Sequence, residues 1–290
     1  MPEARNDRLF QAVNHGFLTL VSLSMLLPFV HLAAVSLSSP MYVTANMVVF
    51  WPRGFHLAVY RDVFGLAAMW RSMAVSAYIT VAGTLLALAL NSSLAYALSR
   101  PAMKGRKYVL QGVLVTFIFS VPLIPSFLVV RSLGMYDTLW ALIVPGALAA
   151  FNVILMKTFF QSLSSELFDA AKIDGCGEFA VYWRLTVPLS KAVFATIALF
   201  HAVGQWNSYF SAIIFIKRRT LLPLQVVLRE MIVDDQFSSA MSGNMEVAAL
   251  STPAMMKAGI IVVGTLPILI VYPFLQRYFV QGAMLGSLKE

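Results

Sequence analysis

Long apolar runs separated by short polar segments dominate the chain. Phe17–Val35, Tyr108–Val130, Thr138–Met156, Ala192–Ile216 and Ala258–Gln276 are predominantly apolar, and no charged residue stands between Arg71 and Arg100. Each run is close to the roughly 20 residues that a helix needs to cross a bilayer. The pattern predicts an all-α polytopic membrane protein with six transmembrane helices. Prolines fall inside several runs: Pro28 in the first, Pro122 and Pro125 in the third, Pro145 in the fourth, Pro267 and Pro273 in the last. Each removes a backbone donor and is able to kink or unwind its helix. Residues 36–70 are mixed and aromatic, which predicts an extracytoplasmic loop with a short interfacial helix over Leu57–Phe64. The other large extramembrane segment is 217–257, which holds L-P-L-Q-V-V-L-R-E-M followed by Asp234 and Asp235.

Composition agrees with that class. Of 290 residues, 59% are hydrophobic and 12% charged, against about 45–50% and 25% in soluble domains. In such a chain the net charge of +8 reflects the sorting of loops across a membrane, not nucleic-acid binding. Arg100, Lys104, Arg106 and Lys107 crowd one short loop. The positive-inside tendency makes it cytoplasmic, with both termini on the same side. Lys157 is expected to mark the inner end of the fourth span. Cys176 is the one cysteine, so no internal disulfide is possible. The first apolar run is long and lacks a convincing cleavage site, so it reads as a retained helix and not a signal peptide.

Polar residues inside the apolar runs are the candidates for a solute pathway. His201, Gln205, Trp206, Asn207, Ser208 and Tyr209 cluster in the fifth run, and Asn152 lies in the fourth. Buried polar groups cost free energy unless partnered or wet. Amides and hydroxyls with aromatic faces suit a sugar, but the same groups also suit an interhelical hydrogen-bond network. His31 in the first run reads as a satisfied interior histidine. Lys217, Arg218 and Arg219 form a basic cluster on the outer side, able to meet an acidic partner or an anionic solute.

Between the fourth and fifth runs lies a segment unlike the rest, Ser164–Pro188 within a predicted cytoplasmic loop 162–190. Ser164 and Ser165 suit a helix N-cap, with Glu166 and Asp169 adding negative charge to the first turn and Lys172 a positive charge to the last. Asp174-Gly175 breaks the chain, since glycine accepts positive φ. A second short helix follows, with Glu178 near its start, Arg184 near its end and Pro188 terminating it. Two short helices at an angle form a compact knob. Ala170 and Ala171 keep one face thin enough for another protein's backbone to approach.

The offsets Asp169-Ala170-Ala171, Asp174-Gly175-Cys176, Tyr182, Leu185 and Pro188 resemble the E-A-A-x-x-D-G-A-x5-F-x-x-I-x-L-P loop of the membrane-spanning subunits of ABC importers. Asp stands for Glu, Cys for the last Ala and Tyr for Phe. The whole chain resembles maltose-type sugar permeases. The L-P-L-Q stretch at Leu222–Arg229, Trp206–Phe210 and the tail P-F-L-Q-R-Y-F-V-Q-G-A-M-L-G-S-L-K resemble the branch for polysaccharide-derived oligosaccharides, such as aldouronate, pectic and alginate fragments. Within it the nearest likeness is to the second permease subunit of alginate importers.

The resemblance implies a type I importer permease forming one transmembrane domain over 1–290 in the bacterial inner membrane. It also implies four partners: a homologous permease making a heterodimer, two ATPase subunits and an extracytoplasmic solute-binding protein. Residues Glu166, Asp169, Ala170, Ala171, Asp174, Gly175, Cys176 and Pro188 would couple this chain to the ATPases. The sequence has no Walker A loop, no Cys/His metal cluster and no hydrolase elbow. ATP and Mg are therefore expected on the ATPase subunits, with no cofactor and no enzymatic activity in this chain. Alternatives keep the ABC machinery with a neutral sugar or amino acid as cargo, or replace it with a non-ABC channel or secondary transporter. The last would need ionisable groups within the spans, which are nearly absent.

Overall fold

The computed structural model describes residues 3–119, 121–233 and 252–285. Every regular element among the described residues is helical. In chain order they begin with α1 (Glu3–Ser36), α2 (Pro40–Thr44), α3 (Ala58–Gly65), α4 (Ala67–Ser99), α5 (Arg106–Ile118), α6 (Leu123–Ser132), α7 (Trp140–Ile143) and α8 (Ala150–Gln161). They continue with α9 (Ser165–Ile173), α10 (Glu178–Val181), a π turn (Tyr182–Thr186), α11 (Val187–Leu189), α12 (Lys191–Trp206) and α13 (Phe210–Phe215). A 3-10 turn (Arg219–Leu221) leads to α14 (Leu224–Val233), and α15 (Pro253–Leu285) comes last. Asp234, Asp235 and most of the polar stretch after them lie outside the described residues, as do the last five residues of the tail.

Packing separates two compact units. The described residues of Met1–Trp70 and Val227–Pro267 form the first, those of Arg71–Val226 and Ile268–Glu290 the second.

In the first unit, α1 presents Phe10, Phe17, Leu20, Leu23, Met25 and Phe29 to the outside, a surface suited to lipid or to another apolar chain. A short helix close to the expected Leu57–Phe64 appears as α3. Ser36 Oγ meets the Tyr60 hydroxyl at 2.7 Å, and the Arg53 amide donates to Ser38 Oγ at 3.0 Å. His31 is satisfied through its Nδ1, which donates to the Val49 carbonyl at 2.6 Å. It is exposed, however, and not interior as expected. Glycine lets α15 press closely on its neighbours. A Cβ at Gly259 would fall 2.3 Å from Val59 Cγ1, and one at Gly264 the same distance from Leu228 Cδ1.

The second unit corrects the simple picture of uninterrupted spans. Among the described residues, by length and composition, the Phe10–Ser36 part of α1 and the whole of α4 qualify singly as membrane-crossing helices. A third span follows if Glu178–Leu189 and Lys191–Trp206, bent by 79°, are taken together. Three apolar runs that read as single helices are interrupted. The third stops at Ile118; Phe119 is extended, and Pro122, lacking an N–H, becomes the N-cap of α6. The fourth is split by Pro145-Gly146 into α7 and α8, with Ala149 extended between them. The helix α8 continues four residues past Lys157, to Gln161. The fifth parts at Asn207–Tyr209, so the Trp-Asn-Ser-Tyr run is a helix break and not mid-helix.

An interrupted helix leaves backbone groups without intrahelical partners, and lipid offers none. Asn91 of α4 meets this need at the α7–α8 break. Its Nδ2 donates to the Ala147 carbonyl at 2.7 Å, and its Oδ1 accepts from the Ala149 amide at 3.0 Å. Asn91 is fully buried. Below it a core of Ala95, Leu98, Val153, Met156, Phe160, Val181, Val193 and Ile197 joins α4, α8, α10 and α12.

Replacing Asn91 by leucine keeps most of the volume but strands both Ala147 O and Ala149 N. We expect a loss of about 1–3 kcal/mol of stability. Heat or SDS denaturation of the detergent-solubilised protein would register it; an unchanged midpoint would mean that other groups satisfy the break.

Candidate functional site

The segment 164–189 folds as the pattern dictates. Ser164 caps α9, its hydroxyl accepting from the Glu166 amide at 3.3 Å. Glu166 lies in the first turn and Lys172 in the last. Asp169 falls in the second turn, one step later than expected, because the helix starts at Ser165. Asp174 is the C-cap, and Gly175 follows with φ of 76°. The Gly175 amide donates to Lys172 O at 3.0 Å and the Cys176 amide to Ala171 O at 2.9 Å. This pair is a Schellman closure, which requires the left-handed residue that glycine supplies most easily.

The second half differs from expectation. After the four residues of α10 the chain widens into the π turn and then α11, where Pro188 occupies the first turn. Pro188 thus sits near the end of the continuous helix Glu178–Leu189, and the missing N–H accompanies the widened turn before it. The chain turns at Ser190 instead, with the 79° bend into α12.

The knob has an inner and an outer face. Phe168, Val181 and Tyr182 are buried in the chain's own core, and Ala171 and Cys176 pack partly against it. Outward lie Glu166, Asp169, Ala170, Asp174, Gly175 and Pro188. Only Ala170 of the alanine pair therefore faces out. Sequence reasoning missed the apolar residues beside them: Leu167, Ile173, Phe179, Trp183 and Leu189 are all exposed, Ile173 at 87%. Each stands on a short helix or turn with an apolar partner three or four residues away, a spacing that read as ordinary amphipathicity. Exposed apolar groups grouped on one small element mark a protein-contact surface.

The knob is tied to the end of α4. The Tyr96 hydroxyl donates to Glu178 Oε2 at 2.6 Å; Arg100 Nε lies 3.5 Å from the same oxygen, and Lys172 Nζ 3.7 Å from Oε1. The Arg100 guanidinium sits 4.1 Å from the Phe168 ring centroid, and Ser92 Oγ meets the Tyr182 hydroxyl at 2.6 Å.

The pathway candidates separate. Gln205 is buried, donates to the Leu142 carbonyl at 3.0 Å and packs on Gly83, where a Cβ would meet it at 2.7 Å. His201 Nε2 donates to the Gly146 carbonyl at 3.3 Å, which leaves Nδ1 to accept from Thr84 Oγ1 at 3.4 Å. Asn152 is buried in α8. Asn207 is exposed at the end of α12, Trp206, Ser208 and Tyr209 are half-buried, and the Trp206 indole N–H is buried without a hydrogen-bond partner among the described residues.

The basic cluster is not three free cations. Asp137, at φ 59°, accepts from the amides of Lys217 and Arg218 through Oδ1, each at 2.9 Å. Arg218 Nε donates to its Oδ2 at 2.9 Å, and a terminal guanidinium nitrogen to its carbonyl at 2.6 Å. The Asp137 amide in turn donates to Phe215 O at 2.9 Å. Nothing in the sequence beyond an isolated acid in a turn announced this clamp.

The amides of Arg218 and Lys217, reinforced by the Arg218 charge, hold the Asp137 carboxyl below the ordinary aspartate range. A depressed native pKa contributes stability above the unfolded value of about 3.9 and loses it as pH falls through the lower native value. The clamp is therefore intact at neutral pH. Amide-exchange protection at Lys217 and Arg218, corrected for intrinsic rates, should fall only below pH of about 4. In Asp137→Ala it should be absent throughout; equal protection in that variant would refute the clamp.

Comparison with known proteins now adds to this geometry. Residues 81–284 match the family described as binding-protein-dependent transport system inner membrane component. The polygalacturonan/rhamnogalacturonan transport system permease protein YtcP of Bacillus subtilis (strain 168) is 41% identical over 98% of this chain and 99% of its own length. Protein LplC of the same organism is 42% identical over 100% of this chain and 98% of its own. Among solved structures, one from a bacterial ABC transporter involved in the import of the acidic polysaccharide alginate superposes with a TM-score of 0.87 at 33% identity, covering 95% of this chain and 98% of the other. The fold is that of a type I ABC permease, a transport component and not an enzyme. The chain belongs to the family of binding-protein-dependent transport system inner membrane components.

Proposed function

We propose that this chain is the transmembrane permease subunit of an ATP-driven importer for oligosaccharides, with acidic, uronate-containing fragments as its cargo. The observation that carries the importer reading is the knob of 164–189, with its Schellman turn and outward row of apolar and acidic residues. Such a surface fits a cleft on a separate ATPase chain. Glu166, Asp169, Ala170, Asp174, Gly175 and Pro188 meet that chain, while Ala171 and Cys176 back the surface from inside. ATP and Mg belong to two ATPase subunits. A homologous permease completes the membrane pore as a heterodimer, and an extracytoplasmic solute-binding protein delivers the cargo.

On this reading all 290 residues form one domain with six crossings. Three of these contain helix breaks, the knob and both termini face the cytoplasm, and 36–70 and 217–257 lie outside. The cargo class is supported by relatives whose names concern polygalacturonan and alginate. Trp206, Asn207 and Tyr209 stand at the break that best suits a sugar pathway. A second reading, a neutral sugar, is favoured by one observation: Asp137 already neutralises Arg218 of the basic cluster.

ATPase activity of the reconstituted complex, challenged with uronate and neutral oligosaccharides, separates the two. Stimulation by uronates alone supports the acidic cargo, and stimulation by neutral sugars removes it. Gly175→Val should strain the left-handed turn by about 1–2 kcal/mol and release the ATPase during purification. Asp174→Lys should act in the same direction through charge. If both variants retain the ATPase and normal uptake, the knob is not the dock. Cys176 should react with membrane-permeant maleimide and resist an impermeant one applied outside intact cells; the reverse result would invert the topology.

A further inference from the structure

The knob lies in sequence between α8 and α12, so those helices are the obvious levers for any force it receives. The side-chain contacts point elsewhere. Glu178 opens α10, at the junction of the knob's two halves, and its carboxylate faces three donors. Two of them, Tyr96 and Arg100, lie one turn apart at the end of α4, and the third, Lys172, belongs to α9. Tyr96 also reaches the Glu178 carbonyl, at 3.3 Å. Arg100 stacks on Phe168 of α9, and the Tyr96 ring lies 5.3 Å from Tyr182 in the turn below. Tyr96 is 8% exposed, and the Arg100 side chain 15%. Both knob helices are thus held to one end of one membrane helix by a single half-exposed acid, whose partners at the end of α4 are largely buried while Lys172 is not.

We propose that Glu178 is a positioning residue that latches the coupling knob to α4, so that displacement of the knob is delivered to α4 as well as to its chain neighbours. The inference rests on the reading of 164–189 as the ATPase dock. Charge-assisted hydrogen bonds are short and stronger than neutral ones, and this one is shielded on the Tyr96 side. Covalent connection alone gives α8 and α12 a path from the knob. It gives α4 none, since α4 is separated from the knob by α5 to α8 along the chain. The latch adds a charge-assisted path to the packing of Phe168, Val181 and Tyr182 on Ala95 and Leu98.

The test is hydrogen–deuterium exchange of the assembled complex of permeases and ATPases, with and without ATP, magnesium and orthovanadate. In the native chain, trapping should alter exchange both in 164–189 and in 96–106. Tyr96→Phe removes one hydroxyl and keeps the ring; Glu178→Ala removes the acid from an exposed helix start. In each, the change in 164–189 should persist, while that in 96–106 should shrink about ten-fold, as expected for losing one charge-assisted bond. A response in 96–106 that survives both substitutions overturns the latch and leaves the dock standing. If trapping moves neither segment in the native chain, the dock and the latch fall together. A merely structural role for Glu178 would lower protection in both segments without separating their responses to trapping.

Discussion

An apolar environment does not hydrogen-bond a stray peptide group, and the second unit depends on that constraint. Helices α5–α6, α7–α8 and α12–α13 are interrupted at the prolines, glycines and polar residues noted above. Each break frees carbonyls and amides that must be met from within the protein. At the α7–α8 break that supply comes from Asn91 of α4 and from His201 and Gln205 of α12, and α4 carries further polar ties to its neighbours. Along α4, Ser76 accepts from the Leu224 amide, Thr84 serves His201, Asn91 bridges Ala147 and Ala149, Ser92 meets Tyr182, and Tyr96 meets Glu178. The unbroken helix is therefore the scaffold on which broken ones are assembled.

This division of labour has a functional side. Breaks within membrane helices are tolerated where they line cavities or pack on protein, and they are the places where a helix can bend without losing its register. The bend at Ser190 separates the knob from α12, and the break at 207–209 separates α12 from α13. Between them α12 is a rigid rod with a turn at each end. The Asp137 clamp holds residues 215–218 beyond α13, and the knob packs on α4 and α8 at the other end of α12. A continuous helix flanked by a break on each side is suited to move as a piece.

The sequence made the knob legible because capping is a local code. Serine before an acidic turn, lysine in the last turn and Asp-Gly after it specify start and stop, and the structure places each within a residue or two. The membrane helices were less legible, since an apolar run announces crossing but not continuity. Pro122 and Pro145 were visible as potential kinks; that the chain breaks outright at Pro145 depends on Asn91 being present to satisfy the gap. The four-residue spacing of Ser76, Thr80, Thr84, Ser92 and Tyr96 was written in the sequence as a polar stripe on an otherwise apolar helix. Its meaning required knowing which helices face it. Asp137 and Arg218 lie far apart in the chain, and no periodicity joins them.

The same accounting bears on where a sugar would be recognised. A polyhydroxylated cargo needs donors and acceptors not already committed. Gln205 is committed to Leu142, His201 to Gly146 and Thr84, and Asn91 to three backbone groups. The buried Trp206 indole N–H and Thr80 hydroxyl have no hydrogen-bond partner among the described residues, and Asn207 is exposed at the helix end. These few groups cannot satisfy an oligosaccharide alone, since each unpaired hydroxyl taken from water costs free energy. Of the polar residues that looked like a pathway in the sequence, Gln205 and His201 are thus cement of the fold. On the reading proposed above, a second homologous subunit would supply the further polar groups.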